Sequence, residues 1–119
     1  MHIELFKDSQ DSYLKELRDA QVTAIQRQPI PGAIIASGFR FYVEKAIELA
    51  GPISEATIKW LNARGSRKVI VTRKDGSVVH VEGYSAAELK ELFPSIERLT
   101  VIDTKPTELD VKPNSRAPE

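Results

Sequence analysis

The chain of 119 residues contains no cysteine, which excludes disulfide bonds, thiolate metal sites and a cysteine nucleophile. It also has no net charge, because 17 basic residues balance 17 acidic ones. Dedicated nucleic-acid-binding domains normally carry a basic excess, so this balance counts against that class. The first residues lack the basic region and apolar run of a signal peptide, and we therefore expect a cytoplasmic protein.

No apolar run is both long enough and sufficiently free of charge to cross a membrane. The most apolar stretch, residues 32–50, contains four charged side chains. These are Arg40, Glu44, Lys45 and Glu48. Each such charge costs about 2.5–3.5 kcal/mol at the centre of a bilayer. We therefore expect no transmembrane segment and no membrane partner.

The chain also lacks the motifs that commonly mark an enzyme. It has no Gly-x-x-x-x-Gly-Lys phosphate loop, no Gly-x-Gly-x-x-Gly turn and no Gly-x-Ser-x-Gly elbow. Its two histidines, His2 and His80, are far apart in the sequence, whereas a metal site needs several convergent ligands. We read His80 as an ordinary sheet residue. The sequence therefore predicts a protein that is not an enzyme and binds no metal or cofactor.

Local residue patterns predict a single α+β domain over residues 1–104, with the element order β-α-β-α-α-β-β-α-β. The predicted strands are 3–6, 21–27, 68–74, 77–82 and 99–102, and the predicted helices follow residue 8 and cover 33–49, 54–64 and 85–93. We expect a small sheet with a central Asp-Gly hairpin and helices packed mainly on one face. Residues 105–119 contain three prolines and scattered charges, and are predicted to form a flexible tail.

The hairpin prediction rests on Asp75-Gly76, which lies between two runs rich in β-branched residues. This dipeptide favours a two-residue type I′ turn. A loop of that length pairs Thr72 with Val79 and Ile70 with Val81. The period-two alternation of a strand then places these four side chains on the core face.

Residues 33–49 carry apolar side chains at helical spacing on more than one side, which predicts an unusually apolar helix. Such a helix is either covered on most sides or uses one flank to contact a partner. The predicted contact surface is the flank around Phe41 and Tyr42, together with the neighbouring loop that contains Pro31 and Gly32.

Two further features leave alternatives open. Trp60, the only tryptophan, either anchors the same partner or plugs its helix onto the hairpin. Arg64, Arg73 and Lys74 are the candidates for contact with an anion such as a phosphate. The same charges are typical of a strand edge protected against aggregation, and no aromatic residues interleave with them for base stacking. We therefore favour the protected edge.

The order of these motifs resembles the effector-associated constant component proteins of bacterial conflict systems. The matching segments are Val-Thr-Ala-Ile-Gln-Arg at 22–27, Pro31-Gly32 and the apolar stretch after it, Trp-Leu-Asn-Ala-Arg at 60–64, the hairpin at 69–76 and the capped helix at Ser85. The resemblance covers roughly residues 22–93. The apolar stretch is shorter and more aromatic here than in the family, and the proline-bearing tail is not part of the pattern. The resemblance contributes no catalytic residues and implies an accessory role beside an effector.

The sequence thus favours a non-enzymatic adaptor that binds an effector protein in a bacterial defence or conflict system, for example in antiviral defence. One alternative is an immunity protein that neutralises a toxin by binding it, since small size and missing catalytic motifs suit both. Another is a small nucleic-acid-binding module. A homodimer formed through the apolar helix or the hairpin edge is left open.

Overall fold

The structure, a computed structural model, describes residues 1–7, 9–27 and 38–104, in which helices pack on a six-stranded mixed sheet. The strands are β1 (His2–Lys7), β2 (Ile25–Arg27), β3 (Gly38–Tyr42), β4 (Arg67–Arg73), β5 (Val78–His80) and β6 (Ile96–Asp103). The helices are α1 (Ser9–Asp19), α2 (Ala50–Asn62) and α3 (Ala86–Leu92), and a 3-10 turn (Phe93–Ser95) leads into β6. The strand order is β2-β3-β1-β6-β4-β5, with β1 and β6 parallel and the other neighbours antiparallel. The predicted α+β class is confirmed.

Alternation along the strands gives the sheet one buried face, because successive side chains of a strand point to opposite sides. The side chains of this face are at most 4% exposed: Ile3, Leu5, Phe41, Val69, Val71, Leu99 and Val101. The helices bury their own apolar residues in the same core: Tyr13, Leu17, Ile53, Trp60 and Leu89. The helices therefore pack on one face of the sheet, as predicted, and the described helices leave the other face uncovered.

Helix α1 ends in a backbone arrangement that suits glycine better than the residue present. The Val22 amide donates to the Leu17 carbonyl at 2.8 Å, and the Gln21 amide donates to the Arg18 carbonyl at 2.9 Å. This pair of bonds is the Schellman motif, which needs a left-handed residue just after the helix. Gln21 has a φ of 62° accordingly. Because these residues complete α1, the strand predicted for 21–27 is reduced to Ile25–Arg27.

We expect Gln21→Gly to raise the free energy of unfolding by about 0.5–1 kcal/mol, because relief of left-handed strain exceeds the added freedom of the unfolded chain. Little packing is lost, since the Gln21 side chain is exposed. Urea unfolding of the wild type, Gln21→Gly and Gln21→Ala measures the effect. Alanine keeps the strain and should give no gain. A glycine variant less stable than the alanine variant would contradict this backbone geometry.

The element order closely matches the prediction, with one difference where a helix was predicted over 33–49. Residues 38–42 form β3, which pairs with both β1 and β2, and residues 44–49 form turns before α2 begins at Ala50. The remainder of that prediction, 33–37, lies outside the described residues. The apolar residues of this stretch fit a period of two as well as 3.6, and aromatic and β-branched residues favour strands. Pairing with a strand on each side favours the strand over the helix. The periodicity of a segment contains no information about which other strands are available to pair with it.

The hairpin between β4 and β5 has a longer loop than the sequence suggests. The Arg73 amide donates to the Ser77 carbonyl at 2.8 Å, and the Gly76 amide donates to the Arg73 carbonyl at 2.9 Å. The loop therefore comprises residues 74–76, and Gly76 has a φ of 89°. A three-residue loop of this kind adds a left-handed glycine after an ordinary turn. The Asp75 carboxylate accepts hydrogen bonds from the Ser77 hydroxyl and amide, which hold the pKa of that carboxyl below its usual value.

The extra loop residue shifts the strand register by one. The observed pairs are Ile70 with His80, Val71 with Val79 and Thr72 with Val78. A shift of one residue turns every side chain of a strand to the other face. Val69 and Val71 therefore occupy the core, and the prediction that Ile70 and Thr72 face the core was wrong. The hairpin lies at one edge of the sheet, since β5 is the last strand.

Helix α3 begins at a capping box, which confirms the capped helix predicted at Ser85. The Ser85 hydroxyl accepts a hydrogen bond from the Glu88 amide at 3.1 Å, and the Glu88 carboxylate accepts one from the Ser85 amide at 2.8 Å. These bonds satisfy two amides that a helix start leaves without intrahelical partners. Leu89, in the next turn of α3, is fully buried. The predicted tail, residues 105–119, lies outside the described residues.

Candidate interaction surface

The structure separates the five residues that the sequence proposed as a partner contact. Phe41 and Trp60 are 4% and 0% exposed, so both belong to the core and cannot form a surface. Pro31 and Gly32 lie outside the described residues. Tyr42 follows Phe41 on strand β3 and points to the opposite face, where it is half-buried. Of the proposed contact, Tyr42 alone is placed on the surface by the described residues.

Trp60 serves to join the helices to the sheet. Its indole Nε1 donates to the Ser12 hydroxyl at 2.8 Å, and the ring of Tyr13 meets it edge-on at 5.5 Å between centroids. The guanidinium of Arg67 lies over the indole face, 4.4 Å from its centroid. The plug that the sequence offered as an alternative is therefore the role that these contacts support. Tyr13 is equally enclosed, and burial raises the pKa of its hydroxyl to about 12.

The three proposed anion contacts do not form one site. Arg64 lies three residues before β4, in the segment that follows α2, with its guanidinium 3.8 Å from the Asp103 carboxylate. Arg73 is the last residue of β4, and Lys74 follows it in the hairpin loop. The six residue steps of β4 separate the two ends by about 20 Å, at about 3.3 Å per residue. A single phosphate or carboxylate therefore cannot contact all three side chains.

The sheet presents a second face on which no side chain in the described part of the chain is buried. One row across it contains Arg27, Arg40, Glu4, Thr100, Ile70 and His80. The adjacent row contains Ile25, Tyr42, His2, Arg98, Thr72 and Val78. We call these twelve side chains the open face. Sequence reasoning missed this surface because its members come from six separate strands.

Tyr42 contacts several of its neighbours on the open face. The guanidinium carbon of Arg27 lies 5.5 Å from its ring centroid, and the His2 ring meets it edge-on at 5.1 Å. Ile25 is its direct cross-strand neighbour and is 45% exposed, and Val78 at the far end of the row is 55% exposed. Tyrosine and arginine are enriched among residues that dominate binding energy at protein interfaces. The open face thus contains residue types that are common at protein interfaces.

The charges of the open face are unequal in number. The Arg40 guanidinium donates to the Glu4 carboxylate at 3.0 Å, and Arg98 Nε lies 3.7 Å from the other oxygen of the same carboxylate, too far for a hydrogen bond. Within the described residues Arg27 has no carboxylate in ion-pair distance. One glutamate therefore serves two arginines, and a third arginine adds to the positive excess.

A cleft of about 440 Å³ lies at the end of the sheet where β1 and β6 begin and β3 ends. His2 and Tyr42 of the open face form one wall, and Ile96 and Ala46 contribute apolar surface. Ile47 stands at the cleft with 61% of its surface exposed. Because His2 and Tyr42 belong to both features, the cleft continues the open face.

The described residues limit the kinds of ligand that the surface can hold. Among them, no three His, Cys, Asp or Glu side chains cluster as ligands for a metal ion. No helix within the described ranges is long and apolar enough to span a bilayer. The open face offers guanidinium, aromatic and aliphatic groups, which suit recognition of another molecule.

Comparisons with protein-family models, with curated proteins and with solved structures found no match to the chain. The resemblance to the effector-associated constant component proteins therefore rests on the sequence motifs and their order.

Proposed function

We propose that the chain is a non-enzymatic interaction domain that binds a partner protein through the open face of its sheet. The observation that supports this most strongly is the setting of Tyr42, which lies between Arg27 and His2 beside the exposed Ile25. Interface residues that contribute most to affinity are usually aromatic residues and arginines.

The motif resemblance supports a more specific form of the proposal. In that form the chain is a cytoplasmic adaptor, and its partner is an effector protein encoded beside it in a bacterial defence or conflict system. A toxin gene in the same position would instead support the immunity-protein alternative. The identity of the neighbouring gene therefore distinguishes the two, whereas both require a binding surface.

The proposal is tested by binding of the purified chain to the protein encoded next to it. The open-face variant combines Tyr42→Ser with Ile25→Ser, and the control combines Glu55→Ser with Lys90→Ser on exposed positions of α2 and α3. We expect calorimetric affinity to fall at least about 30-fold in the open-face variant, as for loss of an interface hot spot, and to be unchanged in the control.

Two results would contradict the proposal. One is a partner that binds the open-face variant as tightly as the wild type. The other is a loss of affinity in the control alone, which would place the interface on the helices. Thermal unfolding of both variants, followed by circular dichroism, shows whether a loss of binding reflects a loss of fold.

A further inference from the structure

The open face is positively charged on a chain whose total charge is zero. It contains Arg27, Arg40 and Arg98 and a single carboxylate, Glu4. Lys68, two residues before Ile70 on β4, lies on the same side of the sheet and adds a further positive charge. Since the whole chain is neutral, its acidic residues are concentrated elsewhere. Interfaces generally place a positive patch against a negative one, because like charges brought together cost binding energy.

The spacing of the arginines indicates the shape of an acidic partner. Arg27 and Arg98 lie in adjacent rows on strands separated by two others, β3 and β1, which puts their backbones about 16 Å apart at about 4.8 Å per strand and about 7 Å per row. In an extended peptide, side chains at alternate positions share one side and recur about every 7 Å. Three acidic residues at alternate positions therefore span about 14 Å, close to the distance between Arg27 and Arg98.

The cleft adds a second requirement. It adjoins the arginines through Tyr42 and His2, and its apolar surface includes Ile47, which is 61% exposed. An extended segment that crosses the arginines can place its next apolar side chain in this cleft. Lys45 and Lys74 also line the cleft, together with Glu48 and Glu97, so the charges of its Lys and Glu side chains balance.

We infer that the partner contacts the open face through an extended segment with acidic side chains at alternate positions and an apolar side chain that enters the cleft beside Tyr42. This inference rests on the proposed function and specifies the chemistry of the partner.

The same surface suits a nucleic acid less well. Sequence-tolerant binding of single strands relies on aromatic rings with a free face for bases. The Tyr42 ring already has Arg27 over it and His2 against its edge. A second copy of this chain is also disfavoured, because two identical positive faces would meet.

The test uses a fluorescein-labelled peptide of about 12 residues, long enough to cross four strands, with Glu at three alternate positions followed by Leu-Phe. Matched peptides replace the three Glu with Gln, or Leu-Phe with Ser-Ser. The full chain is compared with Arg27→Gln/Arg98→Gln and with the control Arg18→Gln/Lys90→Gln, which removes equal charge from exposed helix positions. Binding is followed by fluorescence anisotropy.

We expect the acidic peptide to bind about tenfold more weakly to the Arg27→Gln/Arg98→Gln variant than to the wild type or the control. The Gln peptide should bind the wild type as weakly as this variant binds the acidic peptide. Raising the salt from about 50 to 300 mM should weaken binding, because exposed charges are screened. Ile47→Ser should weaken binding of the Leu-Phe peptide and leave binding of the Ser-Ser peptide unchanged.

The inference is overturned if the acidic peptide does not bind at low salt, or if the Gln peptide binds equally well. If an oligouridylate of about 12 nucleotides binds more tightly than the acidic peptide, the open face is instead a nucleic-acid surface. Sedimentation showing a dimer that the Arg27→Gln/Arg98→Gln variant disrupts would identify a second copy as the occupant. Another outcome is that the protein encoded beside this chain fails to bind the Tyr42→Ser/Ile25→Ser variant and still binds the Arg27→Gln/Arg98→Gln variant normally. In that case the proposed function stands and the acidic partner is excluded.

Discussion

Replacing Trp60 with alanine will lower the free energy of unfolding by about 3–5 kcal/mol, the range found for large aromatic residues removed from a core. The indole is fully buried, and it contacts α1 through Ser12 and β4 through Arg67. Domains of this size are stable by about 5–15 kcal/mol, so the variant will retain little margin. Urea unfolding followed by circular dichroism measures the loss, since the substitution removes the fluorescent residue.

Trp60→Phe separates the two contributions of this side chain. Phenylalanine keeps a buried ring and loses the hydrogen bond to Ser12, so a smaller destabilisation of about 1–3 kcal/mol is expected. If Trp60→Ala instead unfolded like the wild type and failed to bind the partner, the tryptophan would be an interface anchor. That result would contradict its assignment to the core.

The second large effect concerns the buried ion pair between Arg67 and Asp103. Arg67 Nε donates to the Asp103 carboxylate at 3.2 Å, and the two side chains are 9% and 1% exposed. The Ser66 hydroxyl donates to the other oxygen of Asp103 at 2.7 Å. Asp103→Ala should cost about 3–5 kcal/mol, because it leaves the arginine charge without its carboxylate in a site shielded from water.

Matched variants distinguish a buried ion pair from an ordinary one. Glu4→Ala breaks the pair with Arg40 on the open face, where the side chains are 20% and 29% exposed. That change should cost no more than about 1 kcal/mol. Replacing both buried partners, Arg67→Met with Asp103→Leu, should cost less than the sum of the two single changes. Equal effects of Asp103→Ala and Glu4→Ala would contradict the shielding of the Asp103 site.

Elements with a strong local signal could be predicted from the sequence. The capping box at Ser85 and Glu88 and the cap-rich start of α1 depend on neighbouring residues alone, and both elements appear where predicted. Strand β3 could not be predicted in the same way, because its residues 38–42 are stabilised by pairing with β1 and β2. The predicted hairpin register was wrong because the loop has one residue more than expected. That residue places Ile70 and Thr72 on the open face and not in the core.

The candidate site could be predicted only in part. Tyr42 was selected for lying on an apolar flank, and the structure places it on a surface for another reason, the alternation of a strand. Its neighbours Arg27 and His2 come from β2 and β1, and Arg98 comes from β6, which pairs with β1. Sequence distance hides such a group. The alternation of Ile3, Glu4 and Leu5 was the available signal that β1 has an open side.

The central claim, that the open face is the interaction surface, is tested most directly by a nuclear magnetic resonance titration of the isotope-labelled chain with its partner. The account predicts that the largest changes of amide chemical shift cluster on β1, β2, β3 and the start of β6, around His2, Tyr42 and Arg98. Changes confined to the exposed sides of α1, α2 and α3, with these strands unaffected, would contradict it.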